Sequence, residues 1–209
     1  MKYNIRTFTS LNQPLYVAEL MSPCYEDISY LNFLSPEELI MLSRRKNKNK
    51  KSEFIFSRYL IKHVLKISQK EAKLSTIKYC KHLNLSGIFQ QDKLVQRLSL
   101  SHSNQYVAFS FCAIEESLGV DIEVVTKRNI KPLINEFFCA EDKELIYTNS
   151  NPTQKFYQLW TEKEAVTKKV NASIFTLLNH PSTQLKKKFQ LESIICDDFV
   201  VSVATHIGH

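Results

Sequence analysis

From Tyr106 to Ala113 the chain alternates, with Tyr106, Ala108, Ser110 and Cys112 on one side and Val107, Phe109, Phe111 and Ala113 on the other. A period of two is the mark of a strand. After the polar turn Ile114-Glu115-Glu116-Ser117, the run Leu118-Gly119-Val120-Asp121-Ile122-Glu123 alternates again. The pair therefore predicts an antiparallel hairpin. Asp121 and Glu123, two residues apart, leave the same face of their strand. Short strands are also predicted over 3–8 and 14–20, and strand-like runs over 186–195 and 199–204. Residues 74–95 read as short strands and loop.

Helical periods fill the gaps. Ser35-Pro36-Glu37-Glu38 is a helix start, with Ser as N-cap, Pro in the first turn and acids at the positive end of the dipole. A second helix places Phe54, Ile55, Tyr59, Lys62, His63 and Val64 in an amphipathic pattern and ends near Lys66. A third is expected over 131–147. The polar linker 148–153 then leads into a long helix over 154–170. Its apolar stripe runs Phe156, Leu159, position 163, Val166 and Val170, and position 163 is a lysine. A charge in a buried row needs a partner, so Lys163 either meets a carboxylate or phosphate or snorkels at the stripe's edge.

On the same helix Trp160, Glu164 and Lys168 stack at i, i+4, i+8. If this helix crosses the Asp121/Glu123 strand, three carboxylates and a lysine converge. Oxygen-only ligands beside a cation describe a Mg²⁺ site that handles a phosphate. Taken singly, the strand acids read equally as a charged edge face and Glu164/Lys168 as a surface pair.

Each half of the chain runs from a helical segment through a less regular stretch to alternating strands, ending at 106–113 or 199–204. This outline predicts an α+β fold of two similar α/β halves related by pseudo-two-fold symmetry, residues 1–113 and 114–209, with sheets facing each other.

Composition sharpens the choice of partner. Of 209 residues, 44% are hydrophobic and 23% charged, which excludes wholesale disorder. With three glycines and no Walker or GxGxxG run, glycine-rich nucleotide loops are excluded too. Lys and Arg exceed Asp and Glu by 28 to 21, and the net +7 favours an anionic partner. Six of these cations stand in the eight residues Arg44-Arg45-Lys46-Asn47-Lys48-Asn49-Lys50-Lys51. That cluster fits a solvated loop or helix end, a nucleic-acid patch without interleaved aromatics, or a clamp for a nucleotide phosphate. Five cysteines (24, 80, 112, 139, 196) show no CxxC spacing and read as reduced thiols acting as small hydrophobes in a cytoplasmic protein. The N-terminus has no apolar h-region, and no stretch is long enough to cross a bilayer. His63, His180, His206 and His209 lack metal-ligand spacing.

Ser101-His102-Ser103, Gly119-Val120-Asp121-Ile122-Glu123 and Trp160-x-x-Lys163-Glu164-Ala165-x-x-Lys168, in this order, resemble the 4′-phosphopantetheinyl transferases of the larger, surfactin-synthetase-activating type. Leu34-Ser35-Pro36-Glu37-Glu38 with Arg44, the Phe137-Phe138…Glu141…Leu145 stretch, and Phe156-Tyr157-x-Leu159-Trp160 extend the resemblance over most of the chain. The resemblance implies a holo-[acyl-carrier-protein] synthase type of activity, moving the phosphopantetheine arm of coenzyme A onto a carrier-protein serine. It also implies a monomeric pseudo-dimer with its active site in the cleft between halves. Asp121, Glu123 and Glu164 would hold Mg²⁺ against the coenzyme A pyrophosphate. Glu164 would be the base, directly or through a water. Lys168 would meet the pyrophosphate, and Lys163 would orient Glu164 or the phosphates. Ser101 and His102 would contact coenzyme A phosphates, with Lys46, Lys48, Lys51 and Lys81 as further candidates for the 3′-phosphate. The partner would be an acidic acyl or peptidyl carrier protein, not nucleic acid or a membrane.

Two places depart from the family pattern. Cys80-Lys81-His82 stands where Gly-Lys-Pro is usual, and Val170-Asn171-Ala172-Ser173 replaces a glycine-bearing loop. Two competing readings follow: a basic nucleic-acid-binding protein, or a homologue that binds coenzyme A or a carrier without transferring anything.

Overall fold

The computed structural model describes residues 3–9, 13–22 and 26–207. Cys24, His209 and the first two residues of the N-terminus lie outside them. The chain runs β1 (Tyr3–Phe8), β2 (Leu15–Leu20), α1 (Ile28–Leu31), α2 (Pro36–Ser43), α3 (Lys48–Val64), α4 (Gln69–Ala72), β3 (Ser75–Cys80), β4 (Leu85–Gln90), β5 (Lys93–Ser103) and β6 (Tyr106–Cys112). It continues β7 (Gly119–Val124), α5 (Lys131–Phe137), α6 (Ala140–Tyr147), α7 (Pro152–Val170), α8 (Ile174–Leu178), α9 (Ser182–Lys188), β8 (Phe189–Ile195) and β9 (Phe199–His206).

The strands form a six-stranded sheet in the order β1-β2-β6-β5-β4-β3 and a three-stranded sheet β7-β9-β8. All the pairings are antiparallel. Amphipathic α3 lays Phe54, Ile55, Phe56, Leu60 and Ile61 on one face of the larger sheet, against Ile77, Ile88, Leu98 and Phe109. The opposite face, with Leu15, Val17, Tyr106 and Ala108, packs on Val120, Ile122, Val201 and Val203 of the smaller sheet. The two sheets therefore do face each other. On the far side of the smaller sheet lies α7, where Val200 meets Phe156 and Leu159, and Ala204 meets Ala165 and Val166.

Several local expectations hold for physical reasons. Ser35 and Glu38 form a reciprocal capping box at α2. Glu38 is then buried, accepting from the Ile77 N–H of edge strand β3 at 2.8 Å and from Lys62 Nζ at 2.6 Å. One side chain thus caps a helix and closes a sheet edge.

Other expectations need correction. The predicted hairpin of 106–113 with 118–123 does not form. Both edges of β6 are taken, by β2 and β5, and β7 crosses to the other sheet and pairs with β9. The two runs stack face to face instead, which preserves the same alternation. Among the described residues the two sheets differ in size, six strands against three. The helix expected over 131–147 breaks at Phe138 and Cys139, whose ψ angles of 145° and 167° are extended. Lys186–Lys188 end a helix rather than begin a strand. Of the cysteines, Cys112 is buried, while Cys80, Cys139 and Cys196 are half-buried, and these four are free thiols. Among the described residues no helix is long and apolar enough to cross a membrane.

One glycine governs how α7 meets β7. A Cβ on Gly119 would stand 1.8 Å from the Ala165 carbonyl oxygen and 2.7 Å from the Lys169 nitrogen. The helix backbone rests directly on the strand, and only a residue without a side chain allows it. Replacing Gly119 with Ala should force helix and strand apart and cost about 3 kcal/mol, as overpacking against backbone does. Urea unfolding of the two proteins measures this, and an unchanged midpoint would contradict it.

Candidate active site

Because α7 crosses β7 so closely, the polar face of β7 looks onto one side of the helix. Lys168, in the last turn of α7, places Nζ 2.8 Å from Asp121 Oδ1. Glu164 and Glu123 are half-buried beside them. Burial raises the pKa of Glu164, and the Asp121 charge raises it further, followed by the opposing pull of Lys168 and a push from Glu123. Burial and then Asp121 likewise raise Glu123. The three acids and Lys168 therefore share one electrostatic site, as the expected crossing of helix and strand requires.

The free edge of β7 is sewn to the larger sheet by alternate serines of β5. The Val120 N–H donates to Ser99 Oγ at 2.9 Å, and the Val124 N–H donates to Ser103 Oγ at 3.1 Å. Ser101 Oγ donates to Asp121 Oδ1 at 2.8 Å, and Ser103 Oγ to Glu123 Oε2 at 2.9 Å. Ser101, expected to face coenzyme A, is instead buried on an acid. Residues of period two share a face, so Ser99, Ser101 and Ser103 could only act together.

His102, between them, points the other way. Burial pushes its pKa down to about 3, and Arg58, Lys168, Lys50 and Arg45 push in the same direction. Its buried Nε2 has no hydrogen-bond partner. The guanidinium groups of Arg45 and Arg58 stand 4.0 and 3.9 Å from the ring centroid of Phe54. A neutral imidazole with an unused nitrogen, ringed by cations, is suited to an anion. The sequence reading places Arg45 only within the basic cluster and does not single out Arg58. The Phe54-x-x-x-Arg58 spacing, which puts a guanidinium over a ring one turn away, was the available signal. Of the other candidates for this role, Lys46, Lys48 and Lys81 are exposed and Lys51 half-buried.

Lys163 does not join the site. It is fully buried on another side of α7, with Nζ 2.8 Å from Asp142 Oδ2. It also donates to the carbonyls of Leu178 at 3.0 Å, Leu177 at 3.3 Å and His180. Of the alternatives open for Lys163 (a carboxylate, a phosphate or snorkelling), the structure has the carboxylate, and it belongs to α6. Lys163 ties α6, α7 and the chain after α8 together, which leaves it no reach toward Glu164 or a phosphate. Trp160 packs on Phe137, Phe138 and Phe156, away from the acids.

A cleft of about 440 Å³ opens between β4–β5 and the end of α7, lined among others by Ser99, Leu100, Leu118, Glu164, Thr167 and Lys168. Its size suits a small-molecule site. At its edge Asn171 caps α7 in the left-handed region with φ 53°. Asparagine tolerates this conformation, so Asn171 does what a glycine in this loop would do.

Among the described residues no three His, Cys, Asp or Glu side chains stand ready-made as a metal-ligand set. The donors nonetheless fit a hard cation. Asp121 Oδ2 is buried without a partner, and Glu164 Oε2 receives only a 3.4 Å contact from Thr167. Mg²⁺ takes one or two carboxylates and completes its octahedron with water and phosphate oxygens. Burial first, and the Asp121 charge after it, hold Glu123 and Glu164 above the usual carboxylate range, and a bound cation would favour their charged forms.

A search of curated proteins returns no match to the chain. Residues 117–204 match the family model of the 4′-phosphopantetheinyl transferase superfamily. That stretch contains β7, α7 and the part of β9 that pairs with β7, and hence Asp121, Glu123, Glu164 and Lys168 together.

Proposed function

We propose that this protein transfers the 4′-phosphopantetheine arm of coenzyme A to a serine of an acidic apo carrier protein, releasing 3′,5′-ADP. The observation that carries the reading is the crossing of α7 over β7, which gathers three acids and a lysine within the matched stretch. Asp121, Glu123 and Glu164 would hold Mg²⁺. When bound, that ion supplies neutralisation of the charge that develops on the leaving group.

Glu164 lies on the wall of the cleft and accepts the proton of the attacking serine hydroxyl. The serine oxygen bonds to the β-phosphorus as the bond from that phosphorus to the 3′,5′-ADP oxygen breaks. Lys168, released from Asp121, contacts the pyrophosphate and offsets charge on the departing oxygen. His102 offers its free ring nitrogen to a phosphate, with Arg45 and Arg58 supplying the nearby positive charge. Ser101 acts through Asp121, and Lys163 serves the packing of α7.

Incubation of the protein with Mg²⁺, coenzyme A and an apo acyl carrier protein should raise the carrier's mass by that of the arm. Glu164→Ala should lower the rate by roughly 10²–10⁴-fold, the usual worth of a positioned base. A carrier that keeps its apo mass with the unaltered enzyme would sink the reading. The net charge of +7 gives the second test. Raising salt should raise the KM for the carrier while leaving kcat unchanged, because surface attraction is screened. A salt-insensitive KM would remove charge as the basis of partner choice.

A further inference from the structure

Ser101 and Ser103 do more than bridge two sheets. A hydroxyl has one proton to give. Ser103 Oγ already accepts from the Val124 N–H at 3.1 Å, so its proton goes to Glu123 Oε2 at 2.9 Å. Ser101 Oγ donates to Asp121 Oδ1, the same oxygen that receives Lys168 Nζ, each at 2.8 Å. Each serine therefore occupies one oxygen of one acid. For Asp121 the remaining oxygen, Oδ2, is buried and bare.

We infer that Ser101 and Ser103 are specificity-determining positioning residues that present Asp121 and Glu123 to a divalent cation through single oxygens, and so favour Mg²⁺ over Ca²⁺. The inference rests on the proposed metal site and goes beyond it to the choice of ion. Mg²⁺ is small and demands near-octahedral geometry with one oxygen per ligand. Ca²⁺ takes more oxygens and readily uses both from one carboxylate. A hydroxyl bound to one oxygen orients the acid and disfavours its turning both oxygens onto one ion. Ser103 is pinned at its own lone pair by the β7 backbone, so its proton cannot turn elsewhere without breaking an edge contact. Selectivity thus comes from one sheet, and the acids it acts on come from the other.

The test is Mn²⁺ binding to the full-length protein, followed by the spin-resonance signal of the free ion, with Mg²⁺ or Ca²⁺ alone as competitor. For the unaltered protein, Mg²⁺ should displace Mn²⁺ at a concentration at least about tenfold below that needed for Ca²⁺. The Ser101→Ala/Ser103→Ala double variant should lose most of that ratio, and Ser103→Thr, which keeps the hydroxyl, should retain it. Ser99→Ala removes an edge contact to β7 but touches no carboxylate, so it should also retain the ratio. It thereby separates metal choice from sheet stability, while circular dichroism reports whether each variant folds. An unchanged ratio in the folded double variant would overturn the inference and leave the metal site standing. If only the single variant Ser103→Ala folds, an unchanged ratio in it overturns the inference equally. Absence of Mn²⁺ binding by the unaltered protein would overturn both the inference and the metal site.

Discussion

The site depends on a backbone-to-backbone contact. At Gly119 strand β7 touches the α7 main chain at Ala165 and Lys169 with no room for even a methyl group. That contact fixes the spacing between the polar face of the strand and the side chains one turn apart on the helix. Everything chemical follows from it. Asp121 and Glu123 lie two and four residues along the strand, and Glu164 and Lys168 flank the point of contact on the helix. A helix held farther off by a side chain would leave these groups in separate solvated environments. There each would be an ordinary surface charge worth a fraction of a kcal/mol.

Gathering three carboxylates is unfavourable in itself. Burial and then mutual repulsion hold Glu123 and Glu164 above their usual pKa values, and the Lys168 charge and the hydroxyls of Ser103 and Thr167 offset this only in part. The rest of the molecule supports the arrangement from both sides. From one side, β5 supplies its serines to the exposed edge of β7. From the other, the buried Lys163–Asp142 pair holds α6 against α7 and keeps the helix from shifting. A cluster so constrained is poised for a cation, which would turn repulsion into shared attraction.

Much of this was legible before any coordinates. Period-two alternation marked β6 and β7, and Ser35-Pro36 marked the start of α2. The i, i+4 spacing put Glu164 and Lys168 on one helix face, because these patterns are local and obey fixed geometry. What failed was non-local. Alternation states that β6 and β7 are strands with one buried face, but not whether that face is satisfied by pairing side by side or by stacking. The chain chose stacking because β2 and β5 already occupied the edges of β6. Lys163 shows the same limit. The stripe leaves Lys163 meeting a carboxylate or phosphate or snorkelling at its edge, and only the packing of α6 reveals Asp142 as the partner. Ser101 was assigned to a ligand because its neighbours resemble a ligand-binding motif. The register of β5 against β7, which no single segment encodes, turned it onto Asp121 instead. Only the fold brings Arg58 of α3 near His102.

The account stands or falls on whether one ion is shared by acids from strand and helix. Anomalous scattering from crystals of the protein soaked in Mn²⁺ measures this directly. The account predicts a single strong peak bounded by carboxylate oxygens of Asp121, Glu123 and Glu164, with Lys168 turned away from Asp121. A peak elsewhere, or none while Lys168 still holds Asp121, would contradict it.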